Sequence, residues 1–380
     1  MLDTALKILK KINSSSYEAY IVGGFVRDYI LGIDSNDVDI ATSATPKVIR
    51  ELFKDNVLPN DDYGSVIVVK NGIKFEITTF RRDINYTDNR HPNKIEYIDN
   101  LEEDLLRRDF TINSICMDQH EKIIDLLNGR EALNDKKIVC IGDPEVRFEE
   151  DSLRILRAVR FATVLDFELD ESIVLAIKNK KHLLKKLSYF RKKQELSKIF
   201  SSTNCKRGMK LLLEYGLDIE LEIPNLEKVL NINDLIGIWS ILNVVDIYPF
   251  STTEKSLIAN VNKALECDNL DRFSLYKYGL YVNSVAGDIK GIKRKDITSI
   301  YNSLAIHKRG DINISGDEII HILDSEPGEY LNDIYKDLEY EILYNRLEND
   351  KSKIVKYILR KYKKWFIFDL IVILYGEGGL

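Results

Sequence analysis

At 380 residues the chain is longer than one usual hydrophobic core, so two to four domains or subdomains are expected. Its 44% hydrophobic and 31% charged residues exclude a disordered chain, whereas a net charge of -6 does not exclude a nucleic-acid partner, because binding depends on where the basic residues lie. Cys116, Cys140, Cys205 and Cys267 form no CxxC pair, which argues for a reducing compartment and against a zinc or disulfide framework.

Met1-Leu2-Asp3 opens no basic-then-apolar signal segment, and secretion is not expected. Residues 2–13 carry Leu2, Ala5, Leu6, Leu9 and Ile12 at helical spacing and predict an amphipathic helix. Ala19 to Val22 is a short apolar strand running into Gly23-Gly24, with a helix from Val26 to Leu31. Ser65 to Val69 and Lys74 to Thr79 are strand-like and joined by Asn71-Gly72, a strong hairpin signal. Asp83 to Asn93 is highly polar without periodicity and predicts a loop. Thr111 to Ile115 resumes an ordered apolar pattern, and Lys122 to Asn128 reads as a strand entering a turn. Gly142-Asp143-Pro144 is the best boundary; helical periodicity dominates beyond it, with helices expected over 170–186, 190–201, 206–214, 254–266, and from Gly316 with a break at Pro327-Gly328. The apolar run Trp365 to Tyr375 is too short for a bilayer and contains Asp369, so a buried terminal helix and no membrane partner are expected. The fold class is α+β: a small mixed-sheet head followed by an elongated all-helical portion.

The chemistry centres on Asp37 and Asp39. Residues two apart on a strand share a face, so both carboxylates can reach one metal cluster, and hard oxygen ligands favour Mg²⁺. Gly23 and Gly24 let backbone N–H groups approach phosphate without interference from Cβ. An isolated pair of aspartates is often only a solvated strand; the preceding Gly23-Gly24-Phe25-Val26-Arg27-Asp28 favours nucleotide phosphoryl chemistry. Glu76 is a candidate third catalytic carboxylate, although alternating charge on a half-exposed strand is ordinary. Arg27 either contacts triphosphate or holds the loop, and Asp28 reads as an orienting group. No GxGxxG or GxxxxGK[ST] sequence is present, which argues against hydride transfer and a P-loop ATPase.

Further motifs follow in order: Asp37 to Pro46, then Arg107-Arg108-Asp109-Phe110-Thr111-Ile112-Asn113, Ile124-Asp125-Leu126 through Gly129, and Arg147 through Phe161. With Gly23 to Asp28 they resemble the tRNA nucleotidyltransferases, the CCA-adding enzymes of the bacterial and eukaryotic class, which share a head with bacterial poly(A) polymerases. The strong motifs run from about 20 to 161, with weaker correspondence beyond. The resemblance implies a head (1–143), neck (144–205), body (206–305) and tail (306–380), the tail contributing to tRNA binding. It implies stepwise, template-free addition of C, C and A to tRNA 3′ ends from CTP and ATP, in the cytoplasm. Asp37 and Asp39 would bind catalytic Mg²⁺, with Arg108, Asp109 and Asn113 near ribose and phosphates. Asp151 and Arg154 would read the base edge, helped by Arg157, and Arg160 would join this nucleotide-binding set. Residues 151, 154 and 157 would share one helical face, the carboxylate accepting from an exocyclic amino group and the guanidinium donating.

Tyr86, Asp88, Asn89, Arg90, His91 and Pro92 resemble the family's flexible loop, which assists the switch to terminal A addition; Asn89 stands at a usual glycine and His91 at a common arginine. Two basic segments, Lys178 to Lys193 and Lys351 to Lys364, are candidates for RNA phosphates, with solvated helix surfaces as the plain alternative. Tyr189, Phe190, Tyr362, Trp365 and Phe366 are candidates for stacking, with core packing as theirs. No His-Asp dipeptide supports an added phosphohydrolase domain. The alternatives are A-only or poly(A) addition, and a noncatalytic RNA-binding protein on a nucleotidyltransferase-like head; the oligomeric state is left open.

Overall fold

The computed structural model describes residues 1–35, 37–58, 64–86 and 92–363. They divide into two compact units: Met1–Asn233 with Asp246–Pro249, and Asp234–Val245 with the chain from Phe250 onward.

The first unit opens with helix α1 (Leu2–Asn13), whose apolar stripe buries Ala5, Ile8, Leu9 and Ile12. Strand β1 (Ala19–Val22) follows, then helix α2 (Gly24–Leu31), strand β2 (Asp39–Thr42) and helix α3 (Pro46–Leu52). Strands β3 (Ser65–Lys70) and β4 (Ile73–Thr79) form the expected hairpin. Asn71 (φ 54°) and Gly72 (φ 75°) both take positive φ, as a two-residue turn matched to right-handed strand twist requires. Strands β5 (Arg81–Tyr86) and β6 (Pro92–Tyr97) precede helix α4 (Leu101–Leu106), and the short strands β7 (Cys116–Met117) and β8 (Ile123–Ile124) follow it. The main sheet has the order β3-β4-β2-β1-β7-β8 and is mixed: β2 runs antiparallel to β1 and parallel to β4. Helix α5 (Gly129–Asn134) then leads to α6 (Pro144–Glu150) and α7 (Leu153–Leu165). Asp125 accepts from the N–H groups of Gly129 and Arg130, both at 2.8 Å, and fixes this entry. A Cβ at Gly129 would lie 2.3 Å from the Thr111 carbonyl, so only glycine permits that approach.

Beyond α7, apart from the two-residue strand Glu168–Leu169, which pairs with Lys137–Ile138, the unit is helical, with Glu171–Lys180, Tyr189–Phe200 and Cys205–Glu214 near the predicted spans. The second unit is helical throughout its described residues. Its helices include Thr252–Leu265, Arg272–Lys290, Gly316–Leu323, Tyr330–Leu343 and Lys351–Lys361, the last three packing Ile319, Leu338 and Ile354 into one core. The α+β class is as read from sequence. No helix among the described residues is long and apolar enough to cross a membrane.

Three expectations need correction. The polar stretch from Asp83 is not a loop throughout: β5 and β6 pair antiparallel from Arg81↔Tyr97 to Tyr86↔Pro92. A two-stranded ribbon outside the main sheet needs no apolar face, so its strands carry no hydrophobic alternation. The expected strand at Lys122–Asn128 contracts to Ile123–Ile124. Asp151 is not on a helical face with Arg154 and Arg157: its backbone is extended (φ -142°, ψ 101°) between α6 and α7. There its Oδ1 accepts from Leu153 N–H at 3.0 Å, the capping role that short carboxylates favour at a helix start. Asp88, Asn89, Arg90, His91, Lys364, Trp365 and Phe366 lie outside the described residues, as does the expected terminal helix.

Candidate active site

Strand pairing brings the carboxylates together. Asp39 opens β2 directly opposite Glu76 of the parallel strand β4, and opposite Val22, the last residue of β1. Buried Val38 and Ile40 hold Asp39 on the other face, while Asp37 is exposed. Burial first, then the charges of Asp37 and Glu76, push the Asp39 carboxyl from 3.8 up to about 6, against the pull of Arg108. Hard oxygens crowded in this way suit a divalent cation, which would relieve their repulsion. Among the described residues no group of three or more His, Cys, Asp or Glu side chains is placed to hold a metal ion.

Gly23 turns the chain from β1 into α2 with φ 77° and ψ -137°, a conformation side chains other than glycine rarely adopt. A Cβ there would stand 3.7 Å from Asp39 Oδ2 and 3.8 Å from Arg108 Nη1, in the space between carboxylate and guanidinium. Gly23, Gly24, Asp37 and Asp39 line a cavity of about 500 Å³. The same cavity takes Arg27, Arg108, Asp109 and Asn113 from the head motifs, and Asp151, Arg154, Arg157 and Arg160 from the region of α7. Glu76 is not among its lining; with Asp39 and Arg108 it lines a neighbouring hollow of about 240 Å³.

A chain of hydrogen bonds orders one wall. Arg27 Nε donates to Asp28 and Nη1 to Asn113 Oδ1, both at 2.8 Å, so its guanidinium holds the loop. Asn113 Nδ2 donates to Asp109 Oδ1 at 3.2 Å, and Asp109 Oδ2 takes Arg157 Nε at 2.6 Å and Nη2 at 2.5 Å. Burial alone would raise the Asp109 carboxyl, but Arg157, Asn113 and the Phe110 N–H together hold it at about 2.

Two residues to which sequence reasoning gave no role, Asp104 and Arg147, hold other arginines and backbone of the site. Buried Asp104 accepts from Arg107 and Arg108 and from the Arg81 N–H. Arg107 and Arg108 hold its carboxyl below the usual range despite its burial. Arg147 Nη2 reaches the carbonyls of Leu106 (3.3 Å), Arg107 (2.5 Å) and Arg108 (2.8 Å), which end α4. Arg154 Nη1 donates to Arg147 O and Glu150, both at 2.9 Å, and Nη2 to Arg107 O at 3.1 Å. Arg160 pairs with Glu195. Phe25, Ser35, Arg107 and Phe161 also line the cavity. Asp104 had one sequence signal, its i+3 and i+4 spacing to Arg107 and Arg108.

The basic segments are less uniform than their composition. Lys192 is 1% exposed with its ammonium 4.5 Å from the Tyr189 ring centroid, which removes it from any phosphate-binding surface. Lys180 pairs with Glu145 and Glu149, and Lys185 with Glu220. In the second segment Lys351, Lys353 and Lys361 pair with Glu318, Glu348 and Asp337, while Lys356, Arg360 and Lys363 are exposed. Tyr189 meets Tyr248 edge-on, Phe190 is exposed, and Tyr362 donates to Asp337 at 2.8 Å.

A carboxylate pair at the mouth of a glycine turn, facing an arginine-rich cavity on a mixed sheet, defines a nucleotidyltransferase head. Residues 19–139 match the family described as Poly A polymerase head domain, 166–227 that described as Probable RNA and SrmB-binding site of polymerase A, and 241–358 that described as tRNA nucleotidyltransferase domain 2 putative. The CCA-adding enzyme of Ligilactobacillus salivarius is 35% identical over 93% of this chain and 95% of its own; that of Lactococcus lactis subsp. lactis is 35% identical over 92% and 95%. The crystal structure of the Bacillus stearothermophilus CCA-adding enzyme in complex with CTP superposes with a TM-score of 0.82 at 27% identity, covering 95% of this chain and 97% of that one. The chain belongs to the CCA-adding enzyme family.

Proposed function

We propose that this protein adds C, C and A in turn to tRNA 3′ ends, using CTP and ATP and releasing pyrophosphate. The observation that carries the reading is the single cavity in which Asp37 and Asp39 face the Gly23 turn and the Asp109–Arg157 pair. The tRNA 3′-OH attacks the α-phosphorus, forming one P–O bond as the bond to pyrophosphate breaks. Asp37 and Asp39 would hold Mg²⁺, which would supply neutralisation of the triphosphate charge and a lowered pKa for the attacking hydroxyl. Glu76, opposite Asp39, adds negative charge beside the pair. Gly23 and Gly24 leave room for phosphate oxygens, and Arg108, held by Asp104, faces them. Asp109 and Asn113 hold Arg157, and with Asp151 and Arg154 these residues line the base and ribose side; Arg160 supports them through Glu195. The segment from Tyr86 to Pro92 serves terminal A addition.

The division into head, neck, body and tail belongs to the same proposal and is supported by the change from sheet to helix after residue 143. So does a cytoplasmic, reducing setting, with all four cysteines free and three of them buried. Exposed Lys356, Arg360 and Lys363 are the candidate phosphate contacts of the tail.

The test is incubation with Mg²⁺ and tRNA transcripts ending before CCA, after C and after CC, with CTP, ATP or both, resolved at single-nucleotide length. Stepwise C, C, A addition that stops, lost in Asp37→Ala, is expected. A-only extension or an open-ended A tail would reject CCA addition, and tRNA binding without extension would reject catalysis.

A further inference from the structure

Phe161 belongs to α7 and is 5% exposed, which by itself describes an ordinary core residue. Its surroundings are not ordinary. The Arg160 Cζ lies 3.9 Å from its ring centroid, that of Arg27 5.3 Å and that of Arg157 5.5 Å. All are within the ~6 Å over which a ring quadrupole attracts a cation. The three guanidiniums come from two elements, α2 and α7, and the ring and all three line the same cavity. Each has its own carboxylate: Asp28 for Arg27, Asp109 for Arg157 and Glu195 for Arg160. Their charges are therefore paired singly, but no carboxylate is shared among them in these pairs. The common neighbour is the Phe161 ring, held edge-on by Phe110 at 5.8 Å with an interplanar angle of 80°. Phe110 follows Asp109 directly, so the ring also touches the segment that anchors Arg157.

We propose that Phe161 is a positioning residue for the nucleotide, its π-face setting the places of Arg27, Arg157 and Arg160 around the base and phosphates. The inference rests on the nucleotide-binding reading of this cavity. An aliphatic side chain of similar volume would fill the core but supply no face for three mutually repelling cations. The consequence is graded: nucleotide affinity should follow the electron density of the ring, which a purely steric role would not do.

Fluorination of the ring tests this because it withdraws π density with little change of volume. Full-length protein carrying phenylalanine, 4-fluoro-, 3,5-difluoro- or 3,4,5-trifluorophenylalanine at position 161 is compared for CTP affinity by calorimetry. Thermal unfolding and single-nucleotide addition to tRNA ending before CCA are measured alongside. CTP affinity is expected to fall stepwise, by about 5-fold across the series, with the unfolding midpoint nearly constant. Constant affinity across the series would overturn the proposal, as would a loss of affinity that merely tracks the unfolding midpoint. The two readings separate: a series that shows this gradient in CTP affinity while the wild-type protein adds no nucleotide refutes the proposed activity and sustains the role of Phe161. Normal addition with a flat series refutes the role alone.

Discussion

Replacing Asp109 with asparagine removes the charge that faces Arg157 and changes little in volume. Asp109 is 7% exposed and its carboxyl is held at about 2 rather than 3.8. At about 1.4 kcal/mol per unit, the interactions of the charged form contribute about 2 kcal/mol at neutral pH. Loss of one partner of a buried pair costs up to about 3–5 kcal/mol, but the Arg157 side chain is 33% exposed, so a cost of about 2 kcal/mol is the better expectation. The sign follows from the depressed carboxyl. Its stabilisation is fully present above the unfolded-state value near 3.8 and is lost as pH falls toward 2. Urea unfolding of wild type and Asp109→Asn, following the transition of the sheet-bearing unit, should show about 2 kcal/mol between them at pH 7. At pH 3 roughly half of that difference should remain. A difference unchanged between pH 7 and pH 3 would refute an electrostatic role for Asp109 and leave only its shape.

The remaining predictions concern other parts of the site. Asp39 is the opposite case, a carboxyl raised to about 6, so without metal its charge destabilises the fold increasingly as pH rises from about 4 to 6. Asp39→Asn should therefore raise the metal-free unfolding midpoint at pH 7, with no gain at pH 4, while cutting nucleotide addition about a thousandfold or more; a lowered midpoint at pH 7 would contradict this. Arg147→Lys replaces a planar fork reaching three carbonyls with one ammonium, and should cost about 1–2 kcal/mol and weaken CTP binding, both visible by calorimetry. Lys192→Met should leave the salt dependence of tRNA affinity unchanged, because Lys192 is buried; Lys356→Ala should lower the slope of log affinity against log salt by about 0.7–0.9.

Local signals carried much of this architecture. Asn71-Gly72 announced its hairpin because both turn residues need positive φ. The Asp37/Asp39 spacing suggested a shared strand face, but β2 begins at Asp39, which alone stands opposite Glu76, and Asp37 precedes the strand. What remained hidden was set by partners distant in sequence. The Arg147 fork spans 39 to 41 residues to reach backbone carbonyls, which no side-chain pattern can signal. The helix break at Asp151 interrupts an otherwise continuous helical pattern, since aspartate as a cap and aspartate as a base reader look alike in sequence. Lys192 was read as one charge among many, and only the packing of Tyr189 over it reveals burial.

The bonds from Arg147 and Arg154 to the end of α4 have a consequence for modularity. A helix proposed to read the incoming base looks like a part to be exchanged between relatives. Here its flanking arginines complete the hydrogen bonding of backbone that belongs to the sheet-bearing head. A chimera receiving 147–157 from one parent and 101–108 from another would set those carbonyls against side chains that never fitted them. The heritable unit is two segments about forty residues apart, and a graft should carry both.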